Sequence, residues 1–262
     1  MKERLCLIGF DEPQIDQFKQ QFGKNVIAHS TLPHYKVIDG ELFVDREFSS
    51  FQTRVDRVIF YGIFENDFDL LVALSLWGGA CYPNPVGMMN CRLKHACLVR
   101  ALKVTNFPGE GRGFLSAGET AELPRDSVAK WGNWHCGENK ERIQGKWQAE
   151  FSSTIEPFFE GNVVRVIKIG DQIRQIQLTG DDWKKSIHGA GAGFMSVDEE
   201  LAEDTCRLAE HFDVELIAND YVVGKADKYL LEVNHIPNVT QFPEIWDLYF
   251  EEVSRWCLGS SS

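Results

Sequence analysis

The chain has 262 residues, 44% hydrophobic and 25% charged, with a formal net charge of -12. That make-up fits a globular protein with one large core or two or three smaller ones. The acidic balance argues against nucleic acid bound through its phosphate backbone, and no run of eighteen apolar residues could span a membrane.

Leu5–Phe10 reads as a short buried strand rather than a signal peptide, Pro13–Phe22 as a helix and Asn25–His29 as a second strand. Asp39-Gly40 marks a hairpin turn between Tyr35–Ile38 and Glu41–Val44. Val58–Ile63 reads as a strand, Phe68–Leu76 has helical spacing, and Ala80–Tyr82 is a strand ending at Pro83-Asn84-Pro85. Alternating elements predict a small α/β layer with a parallel sheet over residues 1–83. It lacks the Gly-x-Gly-x-x-Gly run of a dinucleotide site.

Residues 84–154 read as a second piece. Cys91–Leu102 is predicted to be one amphipathic helix with Leu93, Cys97, Leu98, Ala101 and Leu102 on its apolar stripe and Lys94 off it. Cys91, His95 and Cys97 have no matching second half of a zinc site, and the seven scattered cysteines suit reduced thiols in the cytoplasm. Phe107–Arg112 is a Gly/Pro loop, and Ser127–Lys130 a short strand with Lys130 at its end. Trp131–Gly145 reads as a polar loop. A lysine aimed into such a loop neutralises phosphate or is an ordinary surface lysine.

The third piece, residues 155–258, opens with Ile155–Gly161 and a hairpin of Val163–Ile169 and Gln172–Leu178 joined by Gly170-Asp171. Glu156 precedes Pro157, so its backbone is held extended. Such a segment either reads the polar edge of adenine or merely leads into the hairpin. Arg165 shares a strand face with Val163 and Ile167, and either pairs with nearby carboxylates or meets an anionic ligand. Lys184, Lys185, Ser186 and His188 lead into Gly-Ala-Gly-Ala-Gly, whose backbone could approach a ligand closely. Ser196 and Glu199 match a capping box before a helix carrying Leu201, Thr205, Leu208, Ala209 and Phe212 on one face.

Ile217–Val223 and Tyr229–Val233 then form a hairpin about Gly-Lys-Ala-Asp. Glu232 and Asn234 project from one face, and an odd loop centred near Ala226 would set Asp220 opposite Glu232. The three make an oxygen-only site suited to Mg²⁺ shared with nucleotide phosphates, or a solvated strand face. Residues 259–262 read as a tail.

The order of parts resembles the ATP-grasp superfamily, and most of all its carboxylate–amine ligases of the glutathione synthetase and RimK type. It runs from a lysine after a first helix, through a lysine at a strand end, Glu-x-Phe-Phe and an Arg-bearing strand, to an Asp followed twelve residues later by Glu-x-Asn. The resemblance covers roughly Asn84 to Glu244, and Leu231–Asn238 (LEVNHIPN) is its most specific element. It implies an α/β (α+β) ATP-grasp fold with a small amino-terminal pre-ATP-grasp domain. It further implies ATP and Mg²⁺, and a ligase joining a small-molecule or peptide carboxylate to an amine or thiol through an acyl phosphate. By the same resemblance Lys94 and Lys130 contact ATP phosphates. Glu156, the Pro157 carbonyl and the Phe159 N–H meet adenine, and Glu160 the ribose. Asp220, Glu232 and Asn234 hold magnesium, with Arg165 and Lys184 or Lys185 near the transferring phosphate.

The chain departs from the family in four places. The run after Lys130 lacks dense glycines, Val163 stands where a ribose acid is usual, Pro237-Asn238-Val239 replaces Pro-Gly-Leu, and Lys184-Lys185-Ser186 replaces Arg-x-Asn. Phosphate transfer to a hydroxyl, and nucleotide binding without catalysis, are the alternative readings, and the sequence leaves an oligomer open.

Overall fold

The computed structural model describes residues 3–46, 49–133, 139–180 and 182–259. The chain forms two compact units. One runs to Asn90 and takes back Phe212–Leu216 and everything from Asn238 onward; the other holds Cys91–His211 and Ile217–Pro237.

In the first unit, β1 (Leu5–Ile8), α1 (Glu12–Phe22) and β2 (Val26–His29) alternate as expected. A three-stranded antiparallel sheet follows, made of β3 (Tyr35–Ile38), β4 (Glu41–Arg46) and β5 (Ser49–Val55). The chain then runs through β6 (Arg57–Phe60), α2 (Asp67–Trp77), β7 (Ala80–Tyr82) and α3 (Pro85–Arg92). The predicted parallel sheet is present, in the order β2-β1-β6-β7. All four residues of β1 are buried, which is why this strand reads as a continuous apolar run. Asp39 and Gly40 turn the β3–β4 hairpin with φ of 53° and 74°, the paired left-handed conformation of a two-residue hairpin loop.

The predicted single helix over Cys91–Leu102 is two helices. Leu93 adopts extended backbone (φ -92°, ψ 108°) and α4 starts after it, Lys94–Ala101. The break reverses two expectations. Leu93 is 43% exposed, while Lys94 is buried with Cys97, Leu98 and Ala101.

The rest of the second unit contains two sheets. The first joins β8 (Gly113–Leu115), β9 (Thr120–Trp131), β10 (Lys140–Gln148) and β11 (Ser153–Pro157) in the order β10-β9-β11-β8. The second joins β12 (Asn162–Ile169), β13 (Gln172–Gln177), β14 (Gly193–Met195), β15 (Leu216–Val223) and β16 (Lys228–Asn234) in the order β14-β13-β12-β15-β16. α5 (Glu199–Phe212) precedes β15. Its expected face, Leu201, Thr205, Leu208, Ala209 and Phe212, is buried.

Two local expectations fail here. The supposed polar loop Trp131–Gly145 begins on the last residue of β9 and is strand again from Lys140 onward, with residues 134–138 lying outside the described ones. β10 is an edge strand, where charged side chains are common because they discourage pairing with other chains. The α5 cap is Asp198 rather than Ser196: its Oδ1 accepts the N–H groups of Glu200 (3.1 Å) and Leu201 (3.3 Å).

α6 (Pro243–Cys257) returns to the first unit, where Trp246 and Tyr249 pack among Phe10, Phe18, Tyr61 and Tyr82. Among the described residues no helix is long and apolar enough to cross a membrane.

Candidate nucleotide site

The β15–β16 hairpin sets the centre of the site. Val223 pairs with Lys228, so Gly224–Asp227 is an even loop of four residues and not the odd loop expected from the sequence. The ladder is regular as far as Tyr221↔Leu230, then shifts so that Asp220 faces Glu232 and Leu231 is the surplus residue of a bulge. A bulge sets two residues of one strand against one of the other and re-aims their side chains. Leu231 and Glu232, with Asp220 opposite, all line one cavity of about 380 Å³.

Both sheets of this unit wall that cavity. From the second sheet come Asp220, Glu232 and the apolar Val163, Val222 and Leu231, with Leu178 from just past β13. From the first, and the segment after it, come Val128, Lys130, Glu156 and Pro157–Gly161. Lys94 reaches in from α4, its Nζ 3.4 Å from Glu232 Oε1. The Lys130 ammonium pairs with Glu156 and donates to the carbonyl of the bulged Leu231 at 3.3 Å. Glu156 is 4% exposed and also accepts from Arg112 Nε at 3.1 Å. Phe159 stacks on Tyr229, with ring centroids 4.0 Å apart.

Among the expected site residues, Lys94, Lys130, Glu156, Pro157, Phe159, Glu160, Lys185, Asp220 and Glu232 therefore share one cavity. Three stand outside its wall. Arg165 lies behind it in a two-pronged pair with Asp220, at 2.6 and 2.8 Å. Burial works against the Arg165 charge, but Asp220 more than offsets it and holds the guanidinium pKa above its usual value. Lys184 sits over the Trp183 ring at 5.6 Å, so of the two adjacent lysines only Lys185 reaches the wall. Asn234 is 7% exposed and pairs with Ala218, one alternation beyond the Asp220–Glu232 pair. Its buried Nδ2 finds no partner among the described residues.

Two facing carboxylates and the side-chain oxygen of a nearby amide are hard oxygen donors and fit magnesium rather than a softer metal; the unpartnered Asn234 Nδ2 is a hydrogen-bond donor and would not ligate it. Among the described residues no three His, Cys, Asp or Glu side chains form a metal-holding group, so a third protein donor would have to be of another kind. The Gly-Ala-Gly-Ala-Gly run contributes nothing to the cavity wall. Gly189 instead serves backbone packing: a Cβ there would come within 2.2 Å of the Thr179 carbonyl oxygen.

Sequence reasoning missed four side chains. Arg112 braces Glu156 from behind, Arg142 lies over the Phe158 ring at 3.8 Å while pairing with Asp126, and Lys140 and Trp183 line the cavity. Lys140 and Arg142 are two apart, a same-face signal available only once the stretch is read as a strand.

No family model and no curated protein matches the sequence. Solved structures match it over nearly its whole length. The ATP-grasp ligase PsnB complexed with a minimal precursor superposes at a TM-score of 0.64 and 14% identity, over 97% of this chain and 100% of that one. D-alanyl-alanine synthetase A from Vibrio cholerae gives 0.65 and 13%, over 99% and 98%. The RiPP-associated ATP-grasp ligase from Chryseobacterium gregarium, in complex with ADP and a leader and core peptide, gives 0.61 and 12%, over 99% and 98%.

The chain has the ATP-grasp fold. At these identities the likeness is one of architecture. Within this ATP-grasp fold the cavity, the bulged hairpin and the lysines of α4 and β9 all belong to a single compact unit.

Proposed function

We propose that the protein is an ATP- and magnesium-dependent ligase that joins a carboxylate to an amine. The observation carrying this reading is the convergence of Lys94, Lys130, Glu156, Asp220 and Glu232 on one cavity of about 380 Å³. Apolar walls with a few convergent charges suit a nucleotide. Glu156, with the backbone of Pro157 and Phe159, would read the adenine edge, and Glu160 would take the ribose hydroxyls. Lys94 and Lys130 would neutralise phosphate oxygens, and Asp220, Glu232 and Asn234 would hold magnesium. Bound magnesium–ATP would supply the phosphoryl group that activates the carboxylate as an acyl phosphate, with the metal offsetting charge on the transferred group. What this chain contributes is position and fixed positive charge, which is most of what phosphoryl transfer asks of a protein.

ADP release is the test, screened against pools of amino acids, other carboxylates and peptides. Hydroxylamine should trap the activated carboxylate as a hydroxamate in the pool that responds. ADP release with phosphate appearing on a hydroxyl would instead identify a kinase, and nucleotide binding without turnover in any pool would identify a binding protein.

A further inference from the structure

Lys140 begins β10 and is the direct ladder partner of Lys130 on β9. Both line the cavity, together with Lys94 and Lys185. The other three are engaged: Lys94 with Glu232, Lys130 with Glu156, and Lys185 with the Gly180 carbonyl at 2.8 Å. Lys140 makes no ion pair among the described residues; its ammonium lies 5.7 Å from the centre of the Trp183 ring. Burial, and then the neighbouring Lys130 charge, push its pKa below the ordinary lysine value. An ammonium with no ion pair among the described residues, held near Lys130 and Lys94 and partly out of water, is unfavourable, and the Glu232 and Asp220 charges offset this only in part. A polyanion entering the cavity would relieve that cost.

We propose that Lys140 is a third phosphate-binding lysine, reaching the polyphosphate tail of the nucleotide from the strand opposite Lys130. The inference rests on the nucleotide reading of the cavity. Trp183 supplies an aromatic surface beside the ammonium, and this ring also meets Phe158 edge-on, at 6.2 Å and 78°. The lysine is thereby positioned before the ligand arrives.

Calorimetric titration of wild type, Lys140→Met and Lys140→Arg with adenosine, ADP and a non-hydrolysable ATP analogue tests this. Lys140→Met should bind ADP and the analogue roughly ten- to a hundredfold more weakly, as expected for a lost hydrogen bond to a charged group. Adenosine affinity should stay within about threefold, Lys140→Arg should recover most of the loss, and the ligand-free melting temperature of Lys140→Met should be no lower than wild type. Unchanged ADP binding in Lys140→Met would overturn the proposal. So would an equal loss of adenosine and ADP with a lowered melting temperature, or a Lys140→Met chain that does not fold, since either makes Lys140 structural. A wild-type protein that binds neither ADP nor the analogue would overturn the nucleotide reading itself, and this inference with it.

Discussion

Asp220 and Glu232 face each other across β15 and β16 because Leu231 is surplus in the ladder. The turn alone would set Leu231 opposite Asp220; the bulge sends both Leu231 and Glu232 into the cavity. Glu232 therefore faces Asp220 at the proposed metal position and pairs with Lys94 at 3.4 Å. Glu232→Gln keeps the shape and removes the charge. It should lower ADP release by about 10²–10³ while circular dichroism and cooperative melting remain those of a folded chain. Wild-type turnover in the purified variant would remove Glu232 from the chemistry.

Arg165 and Asp220 are both largely buried and joined by two hydrogen bonds. Removing one partner leaves the other charge uncompensated. Arg165→Ala should destabilise the protein by about 3–5 kcal/mol in urea unfolding. The double variant Arg165→Ala/Asp220→Ala should lose less than the sum of the single variants. Additive losses would show that the pair is not coupled.

His95 should give the protein a stability that depends on pH just below neutrality. Burial, and then the adjacent Lys94 charge, hold its pKa below the usual histidine value. The unfolded chain titrates near ~6.5, so below that pH it binds more protons at this site than the folded chain. Unfolding free energy should thus decline as pH drops from about 7 through the unfolded value towards the depressed folded one. His95→Gln should flatten that part of the profile, and an identical slope in the variant would assign the effect elsewhere.

Asp198 caps α5 and pairs with Lys228 at 2.7 Å. Burial raises its pKa, but the Lys228 hydrogen bond and the Leu201 and Glu200 N–H groups outweigh burial and leave it lowered. The stabilisation is complete above the unfolded carboxylate value, about 3.9, and is lost as pH falls through the lower folded one. Asp198→Ala should cost about 1 kcal/mol at neutral pH from the cap alone, read by urea unfolding. Asp198→Asn should keep most of the cap and lose the acid dependence.

Much of the architecture could be read from residue patterns, because buried strands and capped hairpins leave strong local marks. β1 is uniformly apolar, Asp39-Gly40 names its own turn, and the α5 stripe repeats at helical spacing. The carboxylate pairing was also legible, though by an odd loop where the protein uses a bulge; a surplus residue inside a ladder has no composition of its own. Lys140 and Arg142 were hidden for a related reason. An edge strand that faces solvent and a charged cavity has too little apolar alternation to separate it from a loop. The break at Leu93 was equally invisible, since the apolar spacing continues through it while a single residue changes backbone conformation.

The return of α6 to the first unit has a practical meaning. Trp246 lies against Phe10 and Phe18, and its Nε1 donates to Gln17 at 2.7 Å. The chain's two ends thus build one hydrophobic interior, while the stretch carrying the cavity is threaded through the middle. A single cut cannot release either unit whole: trimming the last twenty residues would injure the opening layer, not the lysine-lined cleft. Tags and fusions at the far end should accordingly be judged by their effect on the integrity of residues 5–82.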